Sequence, residues 1–323
     1  MQIAISQPTS GPRPEQPASS AIATPGSVTA FGLGRLPPTV LLILAIVFVQ
    51  LGGALATILL SSIGATATAF ASTLCSAAVV TLLQGVGVIP AEGLTLIGTA
   101  PAARPHLRLL LLFGVSIALL TLFYFLALDR LPLGIVATIT FLGPLGLAVA
   151  TSRRVVHFVW IGIAALGVGL LTPEVGAHLD PVGLLYAVLG ALAWAAFVPL
   201  SKLAGTVLPG QAGLAVALWI GSVLLLPLAF IDGGLFGADL PDLAGALAVS
   251  LLGVVLPMIL EFQALQNMSA RTYGILLTLE PAAGALVGVL CLGQPAGPRM
   301  LVAVACVMLA AIGVTLSDRH DAR

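Results

Sequence analysis

The chain has 323 residues, of which 59% are hydrophobic and only 7% are charged. A soluble domain carries about 25% charged residues because they cover its surface, so this composition excludes a water-soluble globule and predicts contact with lipid. The formal net charge of zero argues against nucleic acid as a partner.

The first segment in chain order is residues 1–38, which are rich in Pro, Ser, Gly, Thr and Ala. Because the segment has no sustained apolar periodicity, it predicts a disordered tail. No apolar stretch of suitable length follows a basic start, so the tail does not have the pattern of a signal peptide.

Ten apolar runs follow, each bounded by charges, Pro or Gly, and most have the roughly 20 residues that a helix needs to cross a bilayer. They lie near residues 39–60, 64–85, 107–128, 132–151, 155–172, 181–201, 211–231, 243–265, 271–293 and 299–317. The fourth, fifth and tenth runs are near the short limit, so nine spans is the alternative count. The sequence predicts an all-α polytopic membrane protein with ten transmembrane helices.

The distribution of positive charge favours ten crossings, because cytoplasmic loops are enriched in Lys and Arg. With a cytoplasmic N-terminus, ten of the 12 basic residues fall on the cytoplasmic side, namely Arg13, Arg35, Arg104, Arg108, Arg153, Arg154, Lys202, Arg271, Arg319 and Arg323. Arg130 and Arg299 fall on the opposite side, where acidic residues collect. We therefore expect a multi-pass protein with both termini in the cytoplasm.

The chain also matches itself at an offset of 137 residues. The matching pieces are Ala127-Leu128 and Gly143-Pro144 in one half, and Ala264-Leu265 and Glu280-Pro281 in the other. The halves, 39–172 and 181–317, contain five predicted helices each. Since five is odd, the second half enters from the opposite side of the membrane. The repeats are therefore inverted, as in many secondary transporters that alternately open a central site.

Each half contains its own series of short motifs. In the first half they are Leu131-Pro132-Leu133-Gly134-Ile135, Gly143-Pro144-Leu145, Ser152-Arg153-Arg154 and Phe158-Val159-Trp160. In the second half they are Leu256-Pro257, Glu261, Ala264-Leu265, Arg271, Tyr273-Gly274, Leu279-Glu280-Pro281 and Leu292-Gly293. Their order and spacing resemble two EamA-type repeats of the drug/metabolite transporter superfamily, in particular its threonine/homoserine-exporter branch. The resemblance implies a ten-helix inner-membrane exporter of amino acids such as threonine and homoserine, driven by the proton gradient.

Four positions of the first half depart from that branch. Thr57 and Ser72 stand where the branch tends to carry a Lys and an Arg, and Thr140 stands where it tends to carry a Glu. Thr121 takes the place of an Asn. These departures concern the cargo more than the fold, so a transporter of the same fold that carries a drug, a nucleoside or another metabolite is the nearest alternative.

Two charged residues lie well inside the predicted spans, where a charge costs roughly 2.5–3.5 kcal/mol on insertion scales. Glu280 lies near the middle of the ninth span, before Pro281, which is expected to kink the helix. Its carboxylate could bind a proton or the ammonium group of an amino acid, or it could only fix helix packing. Glu261 lies late in the eighth span, where an ion pair with Arg271 is the alternative to a functional role.

Further polar side chains are expected to face the same centre, although ordinary interior packing is the alternative for each. They are Gln50, Thr57, Thr121, Tyr124, Thr140, Trp194 and Thr278. Gly143 and Pro144 occupy the place that corresponds to Glu280 and Pro281, which predicts a hinge or a second kink.

The sequence shows no motif of an enzyme or a metalloprotein. Its three Cys lack CxxC spacing, its four His fall at loops or span ends, and GxxxxGK[ST], GxSxG and HExxH are absent. We expect no enzymatic activity, no cofactor and no metal, with a small-molecule cargo, protons and the lipid bilayer as partners. A membrane sensor or interaction protein that transports nothing is the alternative from a different class.

Overall fold

The structure, a computed structural model, describes residues 36–84, 104–150, 156–171, 180–207, 212–231, 233–266, 273, 276–295 and 297–317. Residues 1–35 of the predicted tail lie outside this part of the chain. Throughout the described ranges the regular secondary structure is helical. A helix satisfies its own backbone hydrogen bonds, which is required in lipid because water is not there to do so.

The first helix, α1 (Pro38–Gln84), has 47 residues, which is enough for two crossings. It bends at Gly64, whose φ is 76°. Only glycine adopts such an angle without steric cost, because it has no Cβ. The first two predicted spans are therefore the two arms of one bent helix.

Five helices follow α1 in the middle of the chain. They are α2 (Arg104–Leu128), α3 (Leu133–Ala150), α4 (Val156–Leu171), α5 (Pro181–Val207) and α6 (Ala212–Ile231). Proline lies inside α3, α5 and α6, yet none of these helices is interrupted there.

The last part of the chain contains two interrupted spans. After a 3-10 turn (Gly234–Gly237), α7 (Leu240–Ser250) continues through a π-helical turn (Leu251–Val255) into α8 (Leu256–Gln266). The remaining helices are α9 (Glu280–Leu292) and α10 (Pro298–Ser317). A π-helical turn is uncommon inside a helix and is often found at functional sites.

Five helical stretches are long and apolar enough to cross a membrane, and the first of them contains both arms of α1. They are residues 38–83, 106–128, 181–205, 212–230 and 240–261. Shorter apolar helices cover residues 133–147, 280–292 and 298–310. Large aliphatic side chains such as Leu192, Val223 and Leu290 are exposed on the outside of the bundle, which suits a surface in lipid.

Helix α1 lies at the centre of the bundle and packs against α2, α6, α7, α8 and α9. Around it, α2 packs against α5 and α6, α3 against α5 and α9, and α4 against α10. Small residues permit the closest contacts: a Cβ on Gly52 of α1 would lie 2.6 Å from the Cα of Gly253 in the π-helical turn. Such backbone-to-backbone contact is typical of helix packing in membranes.

Candidate functional site

The ninth predicted span is interrupted near its middle. Leu276 and Leu277 are helical, Thr278 and Leu279 form a turn, and α9 begins at Glu280. Pro281 is tolerated in the first turn of α9, because the backbone N–H that it lacks would have no partner inside the helix there. The interruption therefore places Glu280 at a helix N-terminus, where the helix dipole favours a negative charge.

Glu280 is buried inside the bundle, with 8% of its surface exposed. Gln50 of α1 lies across the same turn of α9 and is 1% exposed. Its Nε2 donates a long hydrogen bond of 3.5 Å to the backbone carbonyl of Glu280. Its Oε1 lies beside Gly284, at 3.0 Å from the position that a Cβ would occupy there. The absence of a side chain at Gly284 is thus what admits the Gln50 amide.

Tyr124 connects α2 to the same place. Its hydroxyl oxygen lies 2.6 Å from the position that a Cβ on Gly53 would occupy, and Gly53 is one turn after Gln50 on α1. The side chain is also close enough to Glu280 for an electrostatic interaction between the two groups. Two glycines, Gly53 and Gly284, therefore make room for two polar side chains near the start of α9.

A second carboxylate, that of Glu261, lies in the middle of α8. The Tyr273 hydroxyl donates a hydrogen bond of 3.3 Å to Glu261 Oε2. Glu261 interacts electrostatically with Glu280, and Tyr273 interacts with both carboxylates. The alternative partner of Glu261, Arg271, lies outside the described residues, so the predicted ion pair with it is not described either.

The threonines predicted to face the centre hydrogen bond to their own helices. The hydroxyl of Thr57 donates to the Ala54 carbonyl and that of Thr140 to the Val136 carbonyl, both at 2.7 Å. Ser and Thr commonly bond in this way inside helices. Neither hydroxyl is hydrogen-bonded to Glu280, and a role for Thr57 or Thr140 in binding stays a prediction.

Other predicted residues lie around this centre. Gly190 of α5 lies beside Thr140, whose methyl carbon is 3.5 Å from the position of a Cβ on Gly190. Trp194, one turn after Gly190, is half-buried. Stacking of Trp194 on a cargo molecule stays a prediction.

The pair Gly143-Pro144 differs from its counterpart Glu280-Pro281. Helix α3 continues through Pro144, whereas the ninth span is interrupted before Glu280. A Cβ on Gly143 would overlap the Ala191 carbonyl oxygen, so α3 and α5 are in backbone contact here. A hinge at this contact stays a prediction.

An ion pair joins the loop between α2 and α3 to the start of α5. Arg130 Nη1 lies 2.5 Å from Asp180 Oδ2, and the guanidinium carbon is 5.9 Å from the centre of the Tyr186 ring. The hydrogen bond from Arg130 lowers the pKa of Asp180 below its ordinary value. Both side chains are partly exposed, so solvent screens their attraction.

In the part of the chain that the structure describes, no group of three or more His, Cys, Asp or Glu side chains could hold a metal ion. At the centre, the Tyr273 hydroxyl donates to the Glu261 carboxylate, and the Gln50 amide donates to the backbone carbonyl of Glu280.

Comparison with known proteins assigns the chain to a family. Residues 181–316 match the model of the EamA-like transporter family. The threonine/homoserine exporter RhtA of Escherichia coli (strain K12) is 32% identical over 216 residues, which is 66% of this chain and 73% of the relative. The chain belongs to the EamA-like transporter family. The RhtA protein of Salmonella typhimurium (strain LT2) is likewise 32% identical over 214 residues, which is 66% of this chain and 72% of the Salmonella protein.

The predicted resemblance to EamA-type transporters and to the threonine/homoserine-exporter branch is thereby confirmed. Membership makes this EamA-like transporter a multi-pass integral membrane protein, in agreement with its apolar helices. A crystal structure of a protein with 19% sequence identity superposes on 88% of this chain and 99% of its own, with a TM-score of 0.54. That likeness shows a shared fold.

Two site features escaped sequence reasoning. They are Gly53 and Gly284, which are not among the polar side chains predicted to face the centre. Their importance comes from the side chains that pack against them, which lie on other helices. The sequence signal that could have found Gly53 is its position one turn after Gln50 on the same face of α1.

Proposed function

We propose that this EamA-like transporter is a secondary active exporter of small metabolites, with amino acids such as threonine and homoserine as cargo and protons as the coupling ion. The observation that carries the proposal is the buried Glu280 at a helix interruption, beside Gln50 and Tyr124. The names of the RhtA relatives supply the cargo class.

The proposal includes ten crossings of the inner membrane, arranged as two inverted five-helix repeats, 39–172 and 181–317. Both termini are then in the cytoplasm. The helix contacts support it. A pseudo-two-fold axis would pair α3 with α9 and α4 with α10, and both pairs are in contact. It would also relate the contact between α2 and α5 to that between α1 and α7–α8, and both of these occur.

The buried carboxylate provides a physical basis for exchange. A charge inside the membrane is costly unless it is neutralised, so Glu280 is stable either protonated or bound to a cation. Since one carboxylate neutralises one positive charge, a proton and a cargo ammonium group compete for it. Competition for one site that opens alternately to each side couples proton entry to cargo exit. Glu261, which interacts with Glu280, is the proposed second proton site.

Alternating access also needs places where helices can bend. The interruption at Thr278 and Leu279 and the bend at Gly64 are such places in the described part of the chain. Pro144 is a third candidate, at the contact between α3 and α5. We propose these positions as the hinges that let the halves of the bundle move relative to one another.

The test is efflux of preloaded radiolabelled homoserine and threonine from cells that lack their own exporters. Expression of the chain should speed efflux, and an uncoupler of the proton gradient should abolish the gain. Glu280→Gln should remove the gain, whereas Asp129→Asn, a matched loss of an exposed carboxylate, should preserve it. Unchanged efflux with the protein present in the membrane would refute the amino-acid cargo.

A transporter of the same fold with a drug or another metabolite as cargo is the second candidate. The observation in its favour is that Thr57, Ser72 and Thr140 hydrogen bond to carbonyls of their own helices and provide no charge for an amino-acid carboxylate. Competition of unlabelled drugs, nucleosides and amino acids for the same transport activity separates the two candidates. An excess of nucleoside or drug that blocks transport where homoserine does not would favour the second.

A further inference from the structure

The amide oxygen of Gln50 is a buried acceptor that has no hydrogen-bond partner among the described residues. Leaving a buried polar group unpaired disfavours the folded state, so native proteins rarely retain one without a reason. Here the side chain is 1% exposed and lies against the first turn of α9, inside the bundle. The unpaired oxygen therefore points to a group that arrives from outside the chain.

The orientation of the amide follows from its other contact. Nε2 donates to the backbone carbonyl of Glu280, so Oε1 is directed toward Gly284. The opposite orientation would place two carbonyl oxygens against each other, and neither could donate a hydrogen bond. The free end of the amide is thus an acceptor, and its partner must be a donor.

Glu280 gives the chemical class of that donor. Its backbone carbonyl accepts from Gln50 Nε2, and its buried carboxylate, carried by the same residue, also only accepts hydrogen bonds when ionised. Two acceptors at the same turn of α9, one of them charged, repel a carboxylate or phosphate group. A primary ammonium group fits them, because it carries a positive charge and three N–H donors that can reach separate acceptors.

We propose that the Gln50 amide oxygen and the Glu280 carboxylate together form a subsite for a primary ammonium group of the cargo. Tyr124, whose hydroxyl lies over Gly53 one turn further along α1, borders this subsite. The inference rests on the proposed transport function and adds a cargo-binding residue, Gln50, to it. It also predicts selectivity: the amino group of the cargo is required, and a hydroxyl group cannot replace it.

The experiment uses the full chain in proteoliposomes and measures exchange of radiolabelled homoserine at a series of concentrations. Gln50→Met keeps the length of the side chain and removes the acceptor. Losing a hydrogen bond to a charged group corresponds to a rise in KM of about ten- to a hundredfold, with a smaller change in kcat. Gln294→Met is the control. Gln294 lies just after α9 and its side-chain oxygen accepts a hydrogen bond from the Leu133 N–H, so the same change there should leave KM unchanged.

A second readout tests the class of cargo directly. In the wild-type protein, 2,4-dihydroxybutyrate, which carries a hydroxyl in place of the amino group of homoserine, should compete poorly with labelled homoserine. Gln50→Met should narrow the difference between the two compounds. Because KM and competition do not depend on how much of a variant folds, a lower yield of Gln50→Met does not affect either readout.

The outcomes separate the inference from the proposed function. If the wild-type protein exchanges homoserine but the KM of Gln50→Met is within about twofold of the wild-type KM, the subsite is refuted and the proposed exporter function is not. Equal competition by 2,4-dihydroxybutyrate in the wild type refutes it as well. If the wild type exchanges no primary amine at all, the amino-acid exporter and the subsite both fail.

Discussion

A methyl group added at position 284 would enter the contact between α9, α3 and α1. The Cβ of Gly284→Ala would lie 2.7 Å from the Ala137 Cβ and 3.0 Å from Gln50 Oε1, so at least one neighbour must move. Overpacking of this kind costs about 1–3 kcal/mol. Replacing glycine by alanine in an unobstructed helix contributes about 0.5–1 kcal/mol in the opposite direction. We expect a net loss of roughly 0.5–2 kcal/mol.

Thermal unfolding in detergent measures this loss, as a decrease in Tm of a few degrees at about 2 °C per kcal/mol. Gly146→Ala of α3 is the matched control, because nothing lies within 4 Å of the added Cβ. The double variant Gly284→Ala with Ala137→Gly removes the shortest contact and should recover part of the stability. It should not recover any rise in the KM for homoserine, because the added Cβ still lies 3.0 Å from Gln50 Oε1. Equal Tm values for Gly284→Ala and Gly146→Ala would refute the packing described here.

Three further changes test separate parts of the structure by thermal unfolding. Gly64→Ala should cost about 1–3 kcal/mol from its backbone conformation alone (φ 76°, ψ 171°), since no atom lies within 4 Å of the added Cβ. An unchanged Tm would contradict the bend. Ser250→Ala removes the 2.9 Å hydrogen bond between the Ser250 and Ser76 hydroxyls, which joins α7 to α1, and should cost about 0.5–1.5 kcal/mol. Ser222→Ala of α6 is the control, because the Ser222 hydroxyl bonds to a carbonyl of its own helix. Because Arg130 lowers the pKa of Asp180, their attraction should stabilise the fold above the ordinary Asp pKa and be lost as the pH falls through the lowered value. Asp180→Asn should remove the decrease in Tm that this lost attraction causes at low pH. A pH profile of Tm identical to that of the wild type would contradict a stabilising ion pair.

The parts of the fold that depend on local sequence could be predicted. Apolar runs of sufficient length predict helices, and Glu280-Pro281 predicts an irregularity at a buried charge, because both effects act within one turn of the chain. The bend of α1 could not be predicted from the sequence, because Gly64 permits a positive φ but does not require one. The π-helical turn at Leu251–Val255 has no local signal in the sequence either, and it occurs where the backbone of Gly253 meets Gly52.

The composition of the site depended on long-range pairing and could be predicted only in part. Gln50 was one of several polar residues expected near the centre, and the sequence does not show that it reaches Glu280, 230 residues away. The same holds for Tyr273 and Glu261, since a helix and a turn must come together before the hydroxyl can donate to the carboxylate. Thr57 and Thr140 show the converse, because a polar side chain in an apolar run can be satisfied by its own helix.

The central claim is that Glu280 couples cargo exit to proton entry, and proteoliposomes that contain a trapped pH dye test it most directly. An outward gradient of homoserine should acidify the interior of vesicles that contain the wild-type protein, because protons enter as homoserine leaves. Vesicles with Glu280→Gln should show no acidification under the same gradient. Homoserine efflux from wild-type vesicles without any change in internal pH, or equal acidification by Glu280→Gln, would contradict the claim.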